Sequence, residues 1–527
     1  MGIYLNPGNE YFRRILSADS YVDKTMMISE INRFIDKGNN YVCVSRPRRF
    51  GKTIASEMLS AYYSKGCDSR ELFKGLKMYD DPSFSQKLGK YNVIKIDLNS
   101  EYQNTRDRNN LIEVLSNKII EELRREYTDV EISDDHTLAE ALLTVYSKTG
   151  QTFIVIIDEY DVLVREQVDD KLFANYLSFL NGLFKSATLR PAISLAYLTG
   201  ILPIVRDKVQ SKLNNFEEYT ILKAYELSEY IGFSDDEVKA LCREYNMDYD
   251  ECKSWYDGYT QKGKEIYNPE SVVKSMIKGE FGSYWGKTST YEAIAERIRL
   301  NFFGTKEAVT KMLAGEEVDI NITRYMNTMS DFTSKNDVFA YLMYIGYLAY
   351  NEDDGTCRIP NREIRQEWFN AIETEPEYET TNRIIEASKQ LLKDTIAGDC
   401  DAVAASLDES HIHVSSNRSY NNEDVLQSAI YLSFIYALNN YTCVREMTAG
   451  KGFSDVTYIP IHPAPERPAM IIELKKNSTA ESAIDQIREK KYFDSLSHYQ
   501  GNLLFVGIDY DEKEKTHRCK IERFEKS

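Results

Sequence analysis

Several features are missing from this 527-residue chain, and each absence removes a class of protein. No apolar run is long enough to span a bilayer. Met1 to Glu10 show neither a basic stretch followed by an apolar one nor the residues of a lipidation site. The expectation is a cytoplasmic protein with no membrane partner. The eight cysteines, Cys43, Cys67, Cys242, Cys252, Cys357, Cys400, Cys443 and Cys519, form no C-x-x-C pair. That argues against a zinc site and a disulfide framework, leaving reduced, mostly buried thiols. Positive charge is also short: 65 Lys and Arg face 83 Asp and Glu, for a formal net charge of −18. Nonspecific coating of nucleic acid depends on Lys and Arg neutralising phosphates, so the balance argues against it. A local basic groove, or a metal centre that needs acidic residues anyway, is still allowed. No internal repeat or low-complexity tract is visible.

What is present is the balance of a globular chain, 42% hydrophobic and 28% charged. Its length implies about three domains. In the first, expected over 1–226, apolar runs at Tyr41–Val44, Val93–Leu98, Phe153–Ile157 and Ala192–Leu198 alternate with helical stretches such as Arg106–Tyr127. That alternation predicts an α/β fold with a parallel sheet covered by helices on both faces. From about Leu227 to Leu407 the pattern turns helical, broken at Gly258, Gly263 and Asn268-Pro269. Within it, Tyr347–Asn351 and Thr356–Ile359 flank Asp353-Asp354-Gly355, a hairpin turn, so this region reads as a helical lid with a winged-helix module or as a lid alone. A second α/β unit is expected over 408–527. It has a helical pattern at Asn422–Leu438, strands at Cys443–Glu446, Asp455–Ile461 and Met470–Leu474, a helix at Ala480–Phe493 and a final strand at Asn502–Ile508. Pro463, Pro465 and Pro468 mark a loop between two of these strands.

Arg46-Pro47-Arg48-Arg49-Phe50-Gly51-Lys52-Thr53 lies where the first strand meets its helix. Backbone N–H groups and the helix dipole can hold phosphate at such a junction. Lys52 would reach the β and γ phosphates and Thr53 would ligate Mg²⁺. Arg46 stands where the motif usually has its first glycine, so a chance Gly-Lys-Thr at a basic turn is the competing reading. The strand Ile154–Ile157 delivers Asp158-Glu159 at its carboxyl end, where α/β sheets bind ligands. Asp158 would hold Mg²⁺ and Glu159 would polarise the attacking water, although an acidic pair capping a strand needs no function. The two motifs, in the right order on the right elements, together favour ATP. Thr199, at the end of the fourth strand, is a candidate γ-phosphate sensor, and Arg206 a candidate charge-stabilising finger.

Near the C-terminus, Asp455 on one strand and Glu473-Leu474-Lys475 on the next bring an acid beside an acid-x-lysine. Glu473 and Lys475 share one strand face. Two carboxylates and the Leu474 carbonyl can hold Mg²⁺ through hard oxygen ligands, and Lys475 can orient a water for attack on a phosphodiester. Glu423 is a candidate extra ligand, and Gln486 could fix the water or a phosphate. A structural ion pair is the alternative. Trp255-Tyr256-Asp257-Gly258-Tyr259 reads more readily as packing than as a recognition surface.

Several segments carry a resemblance: Tyr21-Val22-Asp23-Lys24-Thr25, Arg46 through Thr53, Thr199-Gly200-Ile201-Leu202-Pro203, Trp255 through Tyr259, and Ile266-Tyr267-Asn268-Pro269. With them the chain resembles, over nearly its whole length, bacterial AAA-ATPase-like proteins with a C-terminal PD-(D/E)XK nuclease domain. In that family an arginine-rich loop without its first glycine is usual. Glu423, Gly452, Asp455, Glu473-Leu474-Lys475, Gln486-Ile487 and Lys491-Tyr492 fall on the nuclease pattern. The resemblance implies an AAA/STAND-like P-loop NTPase joined to a nuclease fold, with ATP and Mg²⁺ as cofactors. It also implies nucleic acid, DNA ahead of RNA, as partner, and it admits a homo-oligomer. Two functions fit: an ATP-dependent nuclease, or a nucleotide-switched signalling or DNA-binding protein whose nuclease-like domain only recognises.

Overall fold

The computed structural model describes residues 2–204, 213–261, 263–285, 291–322, 332–414, 430, 433–449, 452–461, 467–492, 496, 499 and 501–524. The chain forms two compact units. One holds Met1–Cys252, Tyr256–Tyr284 and Asp319–Pro360; the other holds Lys253–Trp255, Trp285–Val318 and Asn361–Ser527.

The first unit is built on β1 (Tyr41–Ser45), β2 (Asn92–Asp97), β3 (Phe153–Asp158), β4 (Ile193–Gly200) and β5 (Glu217–Tyr219). They form a wholly parallel sheet in the order β2-β3-β4-β1-β5. β1, β3 and β4 are buried along their whole length, as expected of strands covered on both faces, and this is why they read as continuous apolar runs. The register sets Ser45 beside Gly200, and Asp158 beside both Thr199 and Asp97. The loop after β1 and the acids ending β3 therefore share one sheet edge, on either side of the end of β4.

Where one long helix was expected over Arg106–Tyr127, the chain makes a short helix Leu98–Asn104, a 3-10 turn Arg108–Asn110 and then the helix Leu111–Glu126. Asp97 accepts from the N–H of Ser100 and Asp107 from that of Asn109, so each carboxylate starts a new segment. A further helix, Leu138–Thr149, opens with a reciprocal Thr137–Glu140 capping box and stops at left-handed Gly150.

The segment after Leu227 is helical but not only helical. β6 (Phe233–Ser234), β7 (Tyr259–Gln261) and β8 (Lys264–Tyr267) form an antiparallel sheet in the order β6-β8-β7, beside the helices Asp235–Glu244 and Pro269–Lys278. Trp255, Tyr256 and Tyr259 are all buried. β9 (Val318–Asp319), β10 (Ala349–Asn351) and β11 (Thr356–Arg358) form a small sheet in the order β10-β11-β9, with β10 and β11 paired as the Asp-Gly turn predicts.

The second unit carries β12 (Tyr441–Ala449), β13 (Gly452–Pro460), β14 (Ala469–Lys476), β15 (Leu503–Asp511) and β16 (Thr516–Phe524), joined in sequence order. All neighbours are antiparallel except β14 and β15, between which the helix Ala480–Lys490 crosses. β15 is therefore not the last strand. β16 escaped notice because its side chains alternate without an apolar run and most are half-buried. The helix lies close on the sheet: a Cβ at Gly507 of β15 would come within 2.3 Å of the Ala480 carbonyl oxygen. Of the helical pattern at Asn422–Leu438, 422–429 and 431–432 lie outside the described residues, as do Pro463 and Pro465.

Candidate functional site

In the first unit β1 gives way to a loop whose last residue, Gly51, takes φ 89° before the helix Lys52–Tyr63 begins. Arg49 is also left-handed, at φ 71°. For a residue with a side chain that conformation is costly, and it marks a loop shaped by its task. Arg48, Arg49, Phe50, Gly51, Lys52 and Thr53 line a cavity of about 730 Å³ that Glu159 also borders. The first turn of the helix thus borders the cavity, the position from which helix N–H groups can meet an anion.

Lys52 is buried, and its Nζ donates to the Pro47 carbonyl at 2.9 Å. Burial lowers its pKa, with Glu159 and Asp158 working the other way. The ammonium rests on a neutral oxygen, a bond that an arriving anion can outcompete. Beneath it, Asp158 accepts from Ser56 Oγ at 3.3 Å and from the Glu159 N–H at 3.0 Å. Burial pushes its carboxyl up to about 6, against a hydrogen bond from Thr53 that pulls it down. Thr53 and Asp158 are thus a hydroxyl and a carboxylate in contact, an oxygen donor pair that fits Mg²⁺.

Three residues expected at the nucleotide lie elsewhere. Arg46 is fully buried and donates to the carbonyls of Ser45 and Tyr219, both at 2.9 Å, tying the end of β1 to β5. Its guanidinium, lowered to about 10 by burial, does not line the cavity. Pro47 contributes its carbonyl to Lys52 but no cavity wall. Thr199 is buried and donates to the Val44 carbonyl at 3.0 Å, so its hydroxyl is engaged inside the sheet. Arg206 lies outside the described residues.

Sequence reasoning missed Asp161 and Arg165. Asp161 is fully buried; its Oδ2 accepts from Arg165 Nε at 3.1 Å and from the N–H groups of Ile201 and Leu202 at 3.0 and 2.8 Å. A Cβ on Gly200 would stand 2.5 Å from Asp161 Oδ1, so the Thr199-to-Pro203 segment is shaped to receive this carboxylate. Arg165 also pairs with Glu159, itself left-handed at φ 55°. An acid followed four positions later by arginine, just past a buried strand, was the available signal.

In the second unit β13 and β14 pair so that Val456 faces Ile472, which brings Asp455 to Glu473. Asp455 Oδ2 accepts the Leu474 N–H at 2.7 Å. Glu473 is only 2% exposed, and its Oε2 has no hydrogen-bond partner. Burial and the charge of Asp455 push its carboxyl up to about 8, against Lys475 at 3.6 Å. Lys475 Nζ donates to Gln486 Oε1 at 2.5 Å, while Gln486 Nε2 donates to Glu473 and, at 3.1 Å, to Tyr492 OH. Asp455, Glu473, Lys475 and Gln486 therefore meet as expected. Tyr492 holds the amide in place. Among the described residues no group of three or more His, Cys, Asp or Glu gathers as for a metal. Glu423 lies outside them. A buried carboxylate oxygen without a donor, beside a second carboxylate, nevertheless suits a divalent cation. Among the described residues no helix is long and apolar enough to cross a membrane.

A family model described as a predicted AAA-ATPase matches residues 8–210, and one described as the PD-(D/E)XK nuclease superfamily matches 421–520. An uncharacterized protein encoded in the vnfD 5′ region of Azotobacter chroococcum mcd 1 is 26% identical over 290 residues, 54% of this chain and 54% of that protein. The chain thus spans about half the length of that curated relative. Among solved structures, a Walker-type ATPase of Pyrococcus abyssi aligns at 15% identity over 66% of this chain and 94% of its own, with a TM-score of 0.35. The Aeropyrum pernix ORC2 protein, solved as ADPNP-ADP complexes, aligns at 12% over 68% and 98%, with a TM-score of 0.29. The ORC1 protein of the same organism, in complex with DNA, aligns at 11% over 69% and 96%, with a TM-score of 0.23.

Proposed function

From a chain that joins an AAA-ATPase-like domain to a C-terminal PD-(D/E)XK nuclease-superfamily domain, we propose an ATP-hydrolysing protein coupled to a Mg²⁺-dependent nuclease acting on nucleic acid, DNA ahead of RNA. The observation that carries this reading is the meeting of Lys52, Thr53 and Glu159 around one cavity, with Asp158 hydrogen-bonded to Thr53 and Ser56. Lys52 leaves the Pro47 carbonyl for the β and γ phosphates, whose other oxygens take the N–H groups of the helix start. Thr53 and Asp158 would hold Mg²⁺, and Glu159 polarises the water that attacks the γ-phosphate. In the second unit Asp455, Glu473 and the Leu474 carbonyl would hold a cation, while Lys475 and Gln486 orient the attacking water. Bound Mg²⁺ supplies charge neutralisation at the first site and water activation at the second. Residues 1–226, 227–407 and 408–527 serve as ATPase, lid and nuclease portions of a cytoplasmic protein.

Phosphate release from ATP and cleavage of labelled DNA and RNA, measured on the full chain and on Lys52→Ala and Lys475→Ala, test the reading. The first variant loses hydrolysis, and the second loses cleavage alone. Cleavage that survives Lys475→Ala rejects the assigned site. DNA bound but left intact by the wild-type chain, with Mg²⁺ or Mn²⁺ present, favours a recognition module instead.

A further inference from the structure

The geometry points to Arg165 as the residue that distinguishes a triphosphate from a diphosphate in the cavity ahead of Lys52, an inference that rests on the nucleotide reading proposed above. Its side chain ends the short helix Val162–Arg165 and lines the cavity with Lys52, Thr53 and Glu159. A guanidinium is a rigid planar fork, so holding one edge fixes where the other edge points. The Nε edge is held by Asp161, which is itself locked by two backbone N–H groups and packed against Gly200. A terminal amine is thereby presented to Glu159, the carboxylate assigned to the attacking water.

The other cations lining this cavity are placed differently. Lys52 rests on a carbonyl, Arg49 is held by the Tyr284 carbonyl at 2.5 Å and by Glu270 at 3.4 Å, Lys24 pairs with Glu237 at 2.5 Å, and Arg48 is exposed. Arg165 is paired instead with the group that hydrolysis needs. While that pair is closed, the Glu159 carboxylate serves the guanidinium rather than a water. A γ-phosphate oxygen competes for the same terminal amines by charge-assisted, fork-matched hydrogen bonds, and it frees Glu159 as it does so. A diphosphate ends short of this point and leaves the pair closed. Arg165 thus couples recognition of the third phosphate to release of the water-polarising group.

Calorimetry on the full chain with Mg²⁺, using ADP and a non-hydrolysable ATP analogue as probes, tests this. Arg165→Ala should weaken the analogue about tenfold or more while ADP stays within about twofold, because only the third phosphate meets the fork. Arg165→Lys, which keeps the charge without the fork, should recover only part of the loss. Glu159→Gln releases Arg165 without removing it, so analogue affinity should hold or rise while phosphate release from ATP is lost. Equal weakening of both nucleotides by Arg165→Ala, in a protein whose Glu159→Gln form binds normally, assigns Arg165 a structural role and overturns the inference. A wild-type chain that binds the two probes equally also overturns it. One that binds neither overturns the nucleotide reading and this inference together.

Discussion

The two candidate sites both set carboxylates on strands or just past a strand's end, yet they are short of opposite charges. At the end of β3, Glu159 and Asp161 share Arg165, and Lys52 stands close by on a neutral carbonyl. Lys52 has no carboxylate of its own, so that site is arranged to take an anion. On β13 and β14, two carboxylates are neighbours, Lys475 stands 3.6 Å from Glu473, and Glu473 keeps a buried oxygen without a donor. That site is arranged to take a cation. The same chemical groups acquire opposite appetites from how many partners each has, not from which residues they are.

The contrast breaks most sharply in a crossed experiment. Lys52→Ala should lower ATP hydrolysis about 100-fold or more by removing a charge aimed at the transferring phosphoryl group, with cation binding at Glu473 unchanged. Lys475→Ala should lower nucleic-acid cleavage by about the same factor and leave phosphate release alone. Loss of both activities in either variant would erase the distinction.

A second effect is set by pH. A proton on Glu473 competes with a cation, so Mg²⁺ affinity at the C-terminal site should rise about tenfold per pH unit below the raised pKa and level off above about 8. Titration calorimetry on Lys52→Ala, with the first site disabled, reads this directly. A flat profile between pH 6 and pH 8, both about two units or less from the raised value, would show that Glu473 holds no ion.

Stability without metal follows the same group. The folded chain keeps a proton on Glu473 that the unfolded chain has already lost. That contribution is full below the ordinary carboxylate range and disappears as pH climbs through about 8. Glu473→Gln should therefore stabilise the metal-free chain above that pH by about 1–3 kcal/mol, read from denaturant unfolding in chelator. No gain, or a loss, would mean that the buried oxygen is satisfied.

The smallest change concerns Arg46. Restoring the usual glycine with Arg46→Gly should cost about 1–3 kcal/mol by stranding the Ser45 and Tyr219 carbonyls, while nucleotide affinity moves little. A large fall in affinity would return Arg46 to the phosphates.

These outcomes also mark where sequence alone carries the reading. β1, β3 and β4 are legible because strands buried on both faces must be apolar throughout, and no helix pattern competes. β5 has only three residues and β16 alternates half-buried polar side chains, so neither leaves a run to notice. Lys52, Glu159, Glu473 and Lys475 are legible because their neighbours in sequence fix the strand end or face on which they stand. Arg46 is not: arginine is rarely interior, and its burial is explained by acceptors distant in sequence, the Tyr219 carbonyl and the Gln261 amide oxygen, together with the Ser45 carbonyl. Arg165 stays hidden for another reason. Its meaning depends on Asp161, whose other partners, Ile201 and Leu202, lie forty positions further along the chain.

Gly507 gives the C-terminal site a mechanical handle. Its bare α-carbon is the seat on which the first turn of the Ala480–Lys490 helix rests, and Gln486, farther along that rod, grips both Lys475 and Glu473. A single methyl at 507 would act as a shim, tilting the rod and loosening the grip without touching either acid, so the alignment of Lys475 with Glu473 becomes adjustable from the helix seat.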